Sequence, residues 1–354
     1  MTGTDEVRPQ LGDGAPPVLA ESAGLIAEYD LLLLDLDGVV YLGSEAVPHA
    51  VSSLTDARAA GLALHFVTNN ASRRAEEVAA RLRGLGLAAE PDEVTTSAQA
   101  ACAFLAERWP VGATIMVVGA DALADEVAAA GLSPTRSADD KPVAVVQGFG
   151  ADVGWTQLSE ASVAIRSGAR WIATNTDTTV PSVRGPLPGN GSLVAALAHA
   201  LGRRPDHEMG KPRPELFLQA VERRGRSRPL VVGDRLDTDI EGAVRAGVPS
   251  LLVLTGVCTP VDLLAAPPES RPTYVANDLR ELTVPQRAPV LDGDGSATCG
   301  GWRATRTAGA VALSGSGDAL DALRASCCVV WAGPDVPTVE AASEEAAAVV
   351  ANWG

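Results

Sequence analysis

Short apolar runs alternate with longer mixed stretches along this chain, and several of the runs stop abruptly on polar residues. Four leucines, Leu31 to Leu34, lead directly into Asp35-Leu36-Asp37-Gly38. A short run that is apolar at every position predicts a strand buried on both faces. Residues two apart in a strand face the same side, so Asp35 and Asp37 leave it together as a paired acidic site. Taken alone, the segment also reads as a solvated Asp-x-Asp-Gly turn. The pattern then predicts a helix from about Pro48 to Ala60 and a strand from Ala63 to Val67 ending on Thr68-Asn69-Asn70. Helices from Arg73 to about Gly84 and from about Thr95 to Arg108 follow, with Ser97 as an N-cap.

From Ala113 to Leu201 the alternation repeats. Strands are expected at Thr114 to Val118, Val143 to Gln147 and Arg170 to Thr174, with helices around Ala122 to Ala130 and Gln157 to Ser167. That much material builds its own core, which reads as an inserted domain. A helix from Pro214 to about Arg224 resumes the first pattern. The strand Leu230 to Val232 then ends on Gly233-Asp234, followed by a helix from Asp239 to Arg245 and a strand from Ser250 to Leu254. Alternating strands and helices indicate an α/β fold with a parallel sheet.

The tail differs. Asp292-Gly293-Asp294-Gly295 marks a linker or hairpin turn, and alternation runs from Trp302 to Leu313. A short helix at Ala319 to Arg324, a strand at Cys327 to Trp331 and an alanine-rich helix from Val339 to Asn352 complete a small α+β appendage. The expected organisation is a flexible segment over 1–20, a core formed by 21–110 and 205–286, an inserted α/β domain over 111–204, and the appendage over 290–354.

A chain of 354 residues exceeds one ordinary core, in keeping with several domains. Its formal charge of -16 argues against nucleic acid or an anionic membrane as the main partner. Positive charge for an anionic ligand must then be supplied locally. Met1 to Pro17 has neither the basic start nor the apolar middle of a signal peptide, and no apolar run reaches membrane length, so a cytoplasmic protein is expected. Five cysteines without a Cys-x-x-Cys pair, and four scattered histidines, indicate neither a disulfide framework nor a zinc site. Lysine occurs only at Lys141 and Lys211. Lys141 reads as a surface charge. Lys211, within Gly210-Lys211-Pro212, offers a compact ammonium that guanidinium cannot imitate.

Three expected strands thus end in Asp35, Thr68 and Asp234, and a helix supplies Lys211 near its start. In a parallel sheet such groups gather at the carboxyl rim, where α/β proteins bind ligands. Attack of a carboxylate on a phosphate dianion opposes one negative charge to two, about 8 kcal/mol at 4 Å and an effective dielectric near 20. Cations must cancel that repulsion. Lys211 supplies one, and Asp35, Asp234 and a backbone carbonyl form an oxygen donor set suited to magnesium. Thr68 and the next amide donate hydrogen bonds to phosphate oxygens. Asp35 is the candidate nucleophile and Asp37 the candidate acid/base.

Asp35-Leu36-Asp37-Gly38-Val39, Thr68-Asn69-Asn70, Lys211-Pro212 and Gly233-Asp234-Arg235-Leu236-Asp237-Thr238-Asp239 resemble the four motifs of the haloacid dehalogenase superfamily phosphatases. The resemblance covers residues from about 30 to 285 and implies a Rossmann-like core. It implies nucleophile Asp35, acid/base Asp37, and magnesium held by Asp35, the Asp37 carbonyl and Asp234, with Asp239 supporting the metal shell. Thr68, the Asn69 amide and Lys211 would grip the phosphoryl group. The long gap between Thr68 and Lys211 resembles the class IIA capped enzymes, as do Gly38 to Gly43 and Gly191 to Ala196. Asn175-Thr176-Asp177 resembles that class's substrate-facing loop and also reads as an Asx turn; Arg184 is a further candidate for an anionic substrate tail.

A signalling receiver domain lacks a cap between its Thr and Lys and does not carry both acids on one strand. Dehalogenases and phosphonate hydrolases of the superfamily are not expected to carry the second aspartate. A phosphate-sensing or scaffold protein on the same core is the non-enzymatic alternative. The expected function is a magnesium-dependent phosphatase acting on a small phosphorylated metabolite through an aspartyl-phosphate. Glycerol 3-phosphate comes first and 2-phosphoglycolate next, with pyridoxal phosphate or another small ester as the alternative. The expected partners include no nucleic acid and no membrane, and a homo-oligomer is left open.

Overall fold

The computed structural model describes residues 18–180 and 184–353. Most of the expected flexible segment, and Met1 to Pro17 with it, lies outside them. The chain forms two compact units. Of the described residues, one comprises 18–42, 46–64 and 224–353; the other comprises 43–45, 65–180 and 184–223.

In the first unit, parallel strands lie in the order Tyr274–Ala276, Ser250–Val253, Pro229–Gly233, Leu31–Leu34. Leu31 pairs with Pro229 and Leu34 with Val232. All four leucines have zero exposure, so both faces of this strand are covered, as a strand flanked by crossover helices requires. Asp35 N donates to Val232 O at 2.9 Å, extending the ladder to the first acid. The ladder of Pro229–Gly233 likewise ends one residue before Asp234.

The tail belongs to this same unit. Val290–Leu291, Ser296–Cys299, Trp302–Arg306 and Ala310–Gly315 form an antiparallel meander. Thr338–Ala341 joins Ala310–Gly315 in parallel. Asp292-Gly293-Asp294-Gly295 makes the first hairpin, as expected.

Two expectations for the tail need correction. Ala319–Trp331 is one helix, so Cys327 to Trp331 is helical and no strand forms there. A run of five apolar residues cannot by itself separate strand from buried helix. The spacing of Leu320, Leu323, Cys327 and Val330, all buried, carries the helical face through the run. Asp318 caps the start by accepting from Leu320 N at 2.9 Å. The helix expected from Val339 begins instead as the strand Thr338–Ala341, with Ser343 capping Glu344–Val350. Alanine's helix propensity gave way there to the open edge of a sheet. These tail residues share one apolar cluster with Ile240, Leu252, Leu263 and Val275 of the parallel-sheet region.

The second unit holds an all-parallel sheet in the order His207–Glu208, Arg170–Ala173, Ala144–Gln147, Thr114–Val118, Ser133–Thr135. Its strands alternate as a two-sided sheet must. Ile115, Val117, Val146 and Ile172 pack with Leu105, Leu123 and Val127, while Met116, Val118, Val145 and Trp171 pack with Ala161, Ile165 and Leu197. The strand Ala63–Thr68 starts in the first unit and continues into the second, where its end pairs in parallel with Val94–Thr96. The fold is therefore α/β with an inserted sheet and a β-rich C-terminal region.

The cap of helix Ser97–Arg108 is Thr96 rather than Ser97. Thr96 Oγ1 accepts from Gln99 N at 3.2 Å and Gln99 Oε1 accepts from Thr96 N at 3.3 Å, a reciprocal box written in the sequence as Thr-x-x-Gln.

Candidate functional site

Carboxylate oxygens of Asp35, Asp234 and Asp239 all lie within 4.8 Å of one another. Asp35 is half-buried, and the other two are buried. Each position follows from the backbone. Asp35 and Asp234 follow adjacent parallel strands. Asp239 lies in the π-helical turn Leu236–Ile240, where Ile240 N donates to Arg235 O at 3.1 Å before the α-helix Glu241–Ala246 begins. The helix expected from Asp239 thus opens as a wider turn, a form that recurs at functional sites. Val257 N donates to Asp234 Oδ2 at 2.7 Å, and Arg235 N donates to Asp239 Oδ2 at 3.2 Å.

Gly38 closes one side of this group. Its φ of +86° is a left-handed conformation, and a Cβ there would overlap the Asp234 carboxylate. Three acidic groups held so close repel one another strongly, and their hard oxygens are the donors that a divalent cation such as magnesium prefers. The residues therefore fit the ion expected from the sequence. The Asp37 side chain is exposed and does not belong to this carboxylate group.

The second unit gathers the other candidates. Thr68, Asn69, Asn175 and Lys211 are all buried. Thr68 Oγ1 accepts from Asn70 N at 3.1 Å. Lys211 Nζ donates to Val67 O at 3.2 Å. Asn175 and Asp177 form the Asx turn, with Asp177 N donating to Asn175 Oδ1 at 3.2 Å, and Asn175 Nδ2 also reaches Asn69 O at 2.7 Å. Arg184 stands exposed in a turn. Lys141 is exposed too, as expected.

Sequence reasoning placed Ser97 only as a cap and missed its contact with the site, where its hydroxyl donates to Asn69 O at 2.6 Å. It also missed Asn190, whose Nδ2 donates to Asn175 O at 2.7 Å. The Thr96 capping box is a signal that locates the first; the second lies fifteen residues from its partner with no local mark.

The cysteines offer no rival chemistry. Burial pushes the thiols of Cys102, Cys258 and Cys299 up to about 12, so they stay protonated near neutrality. None of the five is in a disulfide.

A family model described as haloacid dehalogenase-like hydrolase matches residues 32–133, and a second, HAD-hydrolase-like, matches 208–282. A model described as a GCN5-related N-acetyltransferase like domain matches 299–354. The chain is 46% identical over 341 residues to the D-glycerol 3-phosphate phosphatase of Mycobacterium tuberculosis, covering 92% of this chain and 94% of that protein. It is 36% identical over 258 residues to an acid sugar phosphatase of Staphylococcus saprophyticus, covering 72% of this chain and 96% of that protein. Among solved structures, a glycerol phosphate phosphatase from Mycobacterium tuberculosis in complex with magnesium superposes with a TM-score of 0.87, covering 94% of this chain and 99% of the other at 46% identity. A 4-nitrophenylphosphatase from Thermotoga maritima gives 0.68, covering 73% and 97% at 33% identity. Likeness of this extent, carried by sequence and fold together, means that the chain belongs to the haloacid dehalogenase-like hydrolases.

Proposed function

We propose that this hydrolase is a magnesium-dependent phosphatase of small phosphate monoesters, with glycerol 3-phosphate as its first substrate and 2-phosphoglycolate second. The carrying observation is the Asp35, Asp234 and Asp239 carboxylate group, whose charge and oxygen donors suit a divalent cation. The relatives support the reading by their names, which include glycerol phosphate, 4-nitrophenyl and acid sugar phosphatases.

In this proposal Asp35, Asp234 and the Asp37 carbonyl hold magnesium, with Asp239 supporting the shell. The bound ion would offset the repulsion between a carboxylate and a phosphate dianion. Asp35 attacks phosphorus and becomes an aspartyl-phosphate as the ester oxygen leaves. Asp37 gives that oxygen a proton and later takes one from the water that frees Asp35. Thr68, the Asn69 amide and Lys211 bind the phosphoryl oxygens. Asn175, Asp177 and Arg184 contact the rest of a small substrate.

Unpaired thiols suit a reducing compartment, and we assign the protein to the cytoplasm. Among the described residues no helix is long and apolar enough to cross a membrane. The acidic balance favours a small ligand over nucleic acid.

Asp35→Asn tests the reading. Amide and carboxylate have similar volumes, so magnesium-dependent release of phosphate from glycerol 3-phosphate should vanish while the protein stays folded, with a melting temperature in chelator no lower than the native one. Full activity in that variant rejects Asp35 as the nucleophile.

A further inference from the structure

We infer that the Asn69 side chain is a positioning residue that fixes Lys211 and ties it to the Asp177 loop. The inference rests on the proposed phosphatase reading and adds to it a role for a side chain where that reading uses only a main-chain amide.

Lys211 is 4% exposed, so its peptide groups need partners within the protein. One amide serves both. Lys211 N donates to Asn69 Oδ1 at 2.7 Å, and Asn69 Nδ2 donates to Lys211 O at 3.1 Å. These partners also fix which way the amide points, because a peptide N–H only donates and a peptide carbonyl only accepts. The remaining Nδ2 proton goes to Asp177 Oδ1 at 3.1 Å.

Asn69 itself is held. Its carbonyl accepts from Ser97 Oγ at 2.6 Å and from Asn175 Nδ2 at 2.7 Å. The approach of the two segments leaves no space before Lys211: a Cβ on Gly210 would stand 2.7 Å from Asn69 Oδ1 and 2.8 Å from Thr174 O. At its far end, the lysine donates from Nζ to Val67 O, two residues before Asn69. The strand end thus grips Lys211 at both backbone and ammonium.

An acceptor and a donor side by side are what position 69 must offer. Aspartate presents two acceptors, one of them toward the Lys211 carbonyl and the Asp177 carboxylate. Alanine presents neither. Asp177 is itself fixed through Gly191 N, which donates to Asp177 O at 2.8 Å. Asn69 therefore joins the lysine to the Asp177 loop of the inserted sheet, and the ammonium keeps its place only while this amide does.

A double-mutant cycle with Asn69→Ala and Lys211→Ala tests the inference, with kcat and KM for glycerol 3-phosphate read at saturating magnesium. Asn69→Ala should lower kcat by about 10- to 100-fold in the native background and less than about threefold once Lys211 is gone. Equal losses in both backgrounds overturn the inference. Asn69→Asp keeps the volume of the side chain and guards against misfolding of the alanine variant. Its kcat should fall comparably in a chain that circular dichroism shows to be folded, the melting temperature dropping because the new carboxylate faces Asp177. Adding Asp177→Asn to Asn69→Asp supplies the new carboxylate with a donor from the loop, and the double variant should turn over roughly ten times faster than the two single losses multiplied together predict, the Asp177→Asn single variant accounting for its own substrate contact; no such excess overturns the link to the loop. If Lys211→Ala leaves too little rate to measure, this exchange pair decides the matter. A native protein that releases phosphate from no small ester ends the phosphatase reading and this inference together, whereas native turnover with additive losses ends this inference alone.

Discussion

Asp239→Asn isolates the electrostatics of the carboxylate group. With all three oxygens inside 4.8 Å, each pair repels by about 3.5 kcal/mol at an effective dielectric of 20. Neutralising Asp239 removes two of the three pairs, or about 7 kcal/mol before compensation. The amide donors of Val257 and Arg235 already offset part of that sum, and an asparagine oxygen can still accept from Arg235 N. A net gain of about 1–3 kcal/mol in the metal-free protein is expected, or roughly 2–6 °C in melting temperature. Magnesium should reverse the order. It stabilises the native protein by binding the folded state alone, and the variant, with less charge to hold it, should gain much less. Scanning calorimetry of both proteins in chelator and in millimolar magnesium measures all four states. A variant less stable than the native protein in chelator, or an equal magnesium shift in both, would refute the reasoning.

Lys211→Arg keeps the charge but should lower kcat for phosphate release about 100-fold, because the buried ammonium site beside Val67 O has no room for a planar fork; near-normal kinetics would contradict this. Arg324→Ala removes a buried guanidinium that donates to Val275 O at 2.8 Å, Gln286 Oε1 at 2.6 Å and Asp321 Oδ1 at 3.0 Å. Urea unfolding should show a loss of about 3–5 kcal/mol, and a loss under about 1 kcal/mol would show the network to be dispensable. Stability should also fall in alkali. Burial, and then the Glu126 carboxylate, push the Cys102 thiol up to about 12, so above pH 9 the folded chain keeps a proton that the unfolded chain has lost. That group alone costs about 1.4 kcal/mol per pH unit between 9 and 12, and Cys102→Ala should reduce the slope by that amount in urea titrations at pH 9 and 10.5.

The carboxylate group was largely legible because its parts are marked locally. Leucines stop at Asp35, valines stop at Gly233-Asp234, and a strand buried on both faces cannot accept either acid. Asp239 entered only through the family resemblance, and the wide turn that carries it has no sequence mark. The inserted sheet was legible from strands alternating with helices, since a strand covered on both faces, with Ile115 and Val117 on one and Met116 and Val118 on the other, is apolar at every one of these positions. Legibility failed where distance or length decides. Asn69 meets Lys211 across 142 positions, which no local pattern encodes. Val94–Thr96 and Tyr274–Ala276 are three residues each, too short for periodicity to register. Cys327 to Trp331 failed for a different reason: helix and strand both accept five apolar residues, and only the packing chooses.

The apolar cluster shared by the tail and the parallel-sheet region has a practical consequence for anyone trimming this chain. Stopping translation after Gln286 would strip the cover from Leu252, Leu263 and Val275 and present a sticky patch to every neighbouring molecule. Such a truncate should precipitate rather than report on catalysis. Polar substitutions at Leu252, Leu263 and Val275 are the route to a soluble short form.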